Sequence, residues 1–124
     1  MHKNFLIAGA VFAAIAVMGG AFGAHFLKTK LTSDGLQVFE TAVRYQFYHA
    51  FALLATGILY KEFSGKLLKW AGMLFIAGII LFSGSLYILC SVTSLKWIGA
   101  ITPLGGLCFI LGWICMVAAF MKQN

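Results

Sequence analysis

WAGMLFIAGIILFSGSLYILCSVTSL, residues 70–95, contains no Lys, Arg, Asp or Glu. An apolar helix of about 20 residues, rising ~1.5 Å per residue, spans a hydrocarbon core of ~30 Å. The stretch exceeds that length and reads as a membrane-crossing helix. Phe5 to Leu27 and Trp97 to Met121 are equally free of those charges. A shorter uncharged stretch, Tyr45 to Tyr60, sits between Arg44 and Lys61 and reaches spanning length with its flanks. Four crossings use nearly all of the 124 residues.

Composition agrees. Hydrophobic residues make up 62% of the chain and charged ones 10%, against roughly 25% charged in soluble domains. No room remains for a soluble catalytic domain. The expected fold is an all-α membrane protein: four transmembrane helices in an antiparallel bundle, with an interfacial amphipathic segment before helix 2. It forms one domain, 1–124, with helices at about 4–27, 34–60, 67–91 and 103–121. The net charge of +6 comes from nine Lys and Arg placed singly at segment ends. That pattern anchors helices to lipid headgroups, so membrane lipids are the expected partner and nucleic acid is not. The first segment is too long for a signal-peptide h-region of ~7–15 residues and is read as retained.

Small residues recur along the helices. Ala16, Gly20 and Ala24, with Gly19 and Gly23 beside them, mark helix 1. Ala71, Gly78 and Ser85 mark helix 3, and Gly105, Cys108, Gly112 and Cys115 mark helix 4. Such faces let helix backbones approach closely in lipid, within a bundle or between subunits. A homo-oligomer or a place in a larger membrane complex is therefore expected. Cys108 and Cys115 are seven residues apart on one helix, ~10.5 Å along its axis, too far for a disulfide, and all three cysteines read as packing residues.

Ser33 or Asp34, with Gln37 in capping-box position, is expected to start helix 2, which then runs as one helix to Tyr60. Glu40 and Arg44 are four apart, the spacing of a helical ion pair. Thr102-Pro103 is expected to cap and open helix 4 after an irregular lead-in from Trp97. An even helix count puts both termini on one side. That side carries Lys3, Lys61, Lys66, Lys69 and Lys122, against Lys28, Lys30, Arg44 and Lys96 on the other. The bias of five to four, with three lysines in one connection, favours cytoplasmic termini.

Polar side chains at membrane depth are few, and ionisable ones there are costly enough to mark candidate sites. They are His25, Glu40, Arg44, Gln46, His49, Ser83, Ser85, Tyr87 and Thr102. The ends of helices 1 and 3 and the starts of helices 2 and 4 share one side, so these residues are expected to form one layer. Arg44 is expected to be held by Glu40 and by groups at the end of helix 3. Each residue also has a structural role open to it: His25 capping helix 1, Arg44 reaching headgroups, His49 in an interhelical hydrogen bond. No third ligand accompanies the histidines, so no metal is expected. No nucleophile with a base, phosphate loop or carboxylate pair points to an enzyme or a cofactor.

GGAFGAH (19–25), ETAVRYQFYHA (40–50), FSGSLY (82–87) and IGAITPLGG (98–106) together resemble the family catalogued as domain of unknown function 423. These are small bacterial membrane proteins of the YgdD and YwdK type. The resemblance covers essentially the whole chain and implies a four-helix, multi-pass protein of the bacterial plasma membrane. It implies no activity. Two functional classes stay open. One is a non-catalytic structural or accessory protein with a buried polar layer. The other is a small oligomeric transporter, channel or ligand-binding protein for a proton, an anion or a lipid headgroup. A dry, fully hydrogen-bonded layer favours the first, and a wet cavity reaching the layer favours the second.

Overall fold

The structure is a computed structural model that describes residues 1–63, 65–92 and 94–122. The described residues are all helix and connection, with no strand among them. Four helices follow in order: α1, Lys3–Leu27; α2, Ser33–Leu59; α3, Lys66–Ser91; and α4, Thr102–Lys122. A short 3-10 turn, Lys96–Ala100, leads into α4. α1, α3 and α4 with its lead-in are long and apolar enough to cross a membrane. α2 carries Asp34, Glu40 and Arg44 in its first half, and its apolarity is concentrated after Tyr45.

Two local details differ from expectation. The cap of α2 is Thr32, whose hydroxyl accepts from the Gly35 amide at 3.0 Å, not Ser33 or Asp34. Thr32 has the extended backbone that an N-cap needs, and Ser33 and Asp34 already lie inside the first turn. The second difference has no cue in composition. α1 and α3 each contain a five-residue π-helical turn, at Gly19–Gly23 and Ile79–Ser83. One extra residue in a helix with ~3.6 residues per turn rotates everything after it by roughly 100°. Each π turn therefore re-aims the end of its helix. In the connection between α2 and α3, Ser64 lies outside the described residues. Gly65 has φ of 152°, a conformation open to glycine and strained for other residues.

α1 packs chiefly on α2, and α3 chiefly on α4. In the first pair the His2 amide donates to Gly57 O, Gly9 lies against Ala50 and Leu54, and Gly23 against Phe39. In the second, Gly112 meets Phe75 and Ala71, Gly78 meets Phe109, and Gly105 meets the backbone of Phe82. α2 joins the two pairs by packing on α3. The small-residue faces of α3 and α4 are thereby used internally: Ala71, Gly78, Ser85, Gly105 and Gly112 are all buried. On α1, Ala16 is buried while Gly20 stays exposed.

Two apolar clusters form the interior. The larger gathers Phe5, Leu53, Leu68, Phe75, Phe109 and Met116, among others. The smaller, Ala16, Phe39, Val43 and Cys90, lies towards the α1–α2 connection. Gln46 and His49 fall between Val43 of one cluster and Ala52 of the other along α2. Ser83, Ser85 and Tyr87 fall between Ile79 and Cys90 along α3. The polar residues are a layer between two oily ones.

Candidate functional site

The layer is assembled by helical periodicity. Ala42, Gln46 and His49 are four and three residues apart, one face of α2. Ser83 and Tyr87 are four apart on α3, at the π turn and just past it. The Ser83 hydroxyl donates to the Ala42 carbonyl at 2.7 Å. The Tyr87 hydroxyl donates to Gln46 Oε1 at 2.7 Å, and Gln46 Nε2 donates to the Phe12 carbonyl of α1 at 2.8 Å. Three helices are thus joined by one side-chain amide.

α4 is joined twice. Ser85 Oγ lies 2.6 Å from Thr102 Oγ1 and 2.9 Å from the Phe82 carbonyl. A carbonyl only accepts, so the single Ser85 proton goes to Phe82 O and Thr102 donates to Ser85. The Thr102 hydroxyl therefore bonds across to α3. His49 is the second link. Its Nδ1 is 2.8 Å from the Tyr45 carbonyl, and its Nε2 is 3.1 Å from Trp113 Nε1. The indole nitrogen only donates, so Nε2 must accept and Nδ1 must carry the proton. His49 is neutral in this arrangement, and a proton on Nε2 would face the indole N–H. Its ring stacks on Phe109, centroids 3.5 Å apart.

Gln46, His49, Ser83 and Ser85 are buried, and Tyr87 and Thr102 half-buried. Three predicted members stand apart. His25, Glu40 and Arg44 are exposed. Arg44 precedes Gln46 by two residues, which on a helix turns it roughly 200° away from the layer. Glu40 shares its outward face, yet no ion pair joins the two, and Arg44 has no partner on α3 among the described residues. Among the described residues the expected anchorage of Arg44 is absent.

Two kinds of participant were not anticipated, backbone carbonyls and two aromatic residues of α4. The Phe12 carbonyl had no signal, because a helical backbone acceptor carries none. Trp113 had one: it sits in the middle of α4, away from the interfacial belt where tryptophans gather, so its N–H needs a partner at depth. Phe109, one turn before it, then flanks the same histidine. Among the described residues, no group of three or more His, Cys, Asp or Glu side chains is placed to hold a metal ion.

The family model described as protein of unknown function, DUF423, matches residues 19–106. That stretch holds every residue of the layer except Phe12, Phe109 and Trp113. The chain belongs to the DUF423 family. Among similar chains is the UPF0382 membrane protein YwdK of Bacillus subtilis, 51% identical over 121 residues and covering 97% of this chain and 98% of its own. The UPF0382 membrane protein SAB0533 of Staphylococcus aureus is 50% identical over 120 residues, 97% of each chain. A UPF0382 membrane protein of Staphylococcus saprophyticus is 49% identical, covering 97% of this chain and 98% of its own. No solved structure matches the chain.

Proposed function

We propose that this DUF423 protein is a non-catalytic structural or accessory protein of the bacterial plasma membrane, a four-span antiparallel bundle whose polar layer locks helix register. One observation carries the reading. No buried side-chain nitrogen or oxygen among the described residues lacks a hydrogen-bond partner. A site built to bind a proton, anion or headgroup keeps donors or acceptors in reserve for it. This layer spends its own on carbonyls and on itself. Two surface cavities, one lined by Glu62, Lys66 and Lys122 and the other by Asn4, Phe12 and Ile76, are not lined by any layer side chain. Phe12 belongs to the layer through its backbone carbonyl alone, which accepts from Gln46.

The descending contacts of α1 with α2 and of α3 with α4 support the antiparallel arrangement. In that arrangement α2 crosses with its polar first half near one surface. Exposed Ala10, Ala14, Gly20 and Ala21 on α1 support a close contact with a second copy or another membrane subunit. In mild detergent the protein is expected to run as a small homo-oligomer or with such a subunit. In proteoliposomes it is expected to carry no proton or chloride flux above empty vesicles, read with entrapped dyes. A flux that Gln46→Leu abolishes would overturn the structural reading.

The termini are placed in the cytoplasm on the lysine bias. Single cysteines at Ser64 and Thr29, in a Cys-free background, are expected to react with an impermeant thiol reagent at Thr29 only, in intact cells. Reaction at Ser64 alone reverses the orientation.

A further inference from the structure

At the end of the bundle that carries both termini, the start of α3 and the end of α4 enclose an open cavity of about 500 Å³. Its polar wall is Lys66, Lys122 and Glu62, and its floor is Leu67, Leu68 and Ala119. The two lysines come from different helices, the first residue of α3 and the last of α4. They outnumber the one carboxylate, so the wall carries net positive charge. Leu68 is fully buried beneath it. Gly65, the cap of α3, lines the same cavity.

The shape and the chemistry call for an amphiphile. A soluble anion would be served by the lysines alone and would gain nothing from an apolar floor at the membrane surface. A phospholipid has a phosphate for the lysines and a glycerol and acyl region for the leucines. Basic pockets between membrane helices take such headgroups. We infer that the cavity between Lys66 and Lys122 binds the phosphate headgroup of an anionic phospholipid. Its glycerol backbone lies over Leu67, Leu68 and Ala119. Glu62 opposes the phosphate and tunes the site downward. The site is independent of the polar layer, which lies deeper in the bundle.

The test is native mass spectrometry of the full chain in detergent, mixed with phosphatidylglycerol or with phosphatidylcholine of the same acyl chains. Phosphatidylglycerol is expected to be retained and phosphatidylcholine not. A lysine near an anionic surface contributes about 1 kcal/mol, a factor of about five, so Lys66→Gln with Lys122→Gln is expected to lower retention about 25-fold. Lys28→Gln with Lys30→Gln removes the same charge from the other end and is expected to leave retention within about twofold. Glu62→Gln is expected to raise retention, a change that loss of structure cannot produce. Equal retention of the two lipids would overturn the site. So would an equal loss in both double variants, a Glu62→Gln variant with no gain, or an inorganic phosphate adduct as abundant as the lipid one.

Discussion

Replacing Gly105 with alanine is expected to lower the midpoint of thermal unfolding in detergent by on the order of 10 °C. A Cβ at this position would fall 2.7 Å from the Phe82 Cα and closer still to its backbone nitrogen. Side chains can rotate away from an added methyl, but a helix backbone moves only if α3 and α4 separate. Overpacking typically costs 1–3 kcal/mol, and with backbone as the obstacle about 3 kcal/mol is expected. Separation at Phe82 would also pull Ser85 from Thr102, since both contacts belong to the same turn of α3. Gly84→Ala is the comparison. An added Cβ there meets nothing within 4 Å, and alanine is the better helix former by about 1 kcal/mol. That variant is expected to melt at or above the wild-type temperature. If Gly105→Ala melts with the wild type, the close crossing of α3 and α4 is not present in the folded protein.

The second large effect is expected at Gln46. Leucine there removes the acceptor of the Tyr87 hydroxyl and the donor to the Phe12 carbonyl. The Phe12 carbonyl keeps its helical bond, but the phenol is left half-buried with nothing to donate to. An unsatisfied polar group in an interior costs ~1–3 kcal/mol, and interhelical hydrogen bonds in membranes reach ~1.7 kcal/mol at most. Gln46→Leu is therefore expected to cost about 1.5 kcal/mol. Tyr87→Phe added to it should cost little more, because the group left unpaired is then gone. The coupling in this double-mutant cycle is expected near 1 kcal/mol, whereas Gln46→Leu with Lys96→Gln should be additive within ~0.5 kcal/mol. Additivity in the first cycle would remove Gln46 from the centre of the layer.

Much of the layer was legible because a polar side chain inside an apolar run is conspicuous. Gln46, His49, Ser83, Ser85, Tyr87 and Thr102 could be picked out on that ground alone, and the structure engages all six in hydrogen bonds between helices. Depth and direction are different properties. Arg44 stands at nearly the same height as Gln46 and Glu40 about 9 Å nearer the start of α2, yet both point outward, because helical phase places them on another face of α2. His25 likewise remains exposed at the end of α1. Phase was readable in principle for α2, which is unbroken from Ser33 to Leu59. It was not readable past Gly19 or Ile79, where a π turn shifts the count.

The sequence by itself determined the number of helices, their bounds to within a few residues and the membership of the chain in its family. Those depend on the length of uncharged runs, on caps and on local motifs, all of which are properties of neighbours along the chain. Only the tertiary structure decided the partners: Phe12 O for Gln46, Trp113 for His49, Thr102 for Ser85. It also decided which small-residue faces are consumed inside the bundle. A hydroxyl or an amide is compatible with any acceptor within reach of about 3 Å. Which acceptor comes within that reach is set by helix packing and by the two π turns, and no local pattern encodes either.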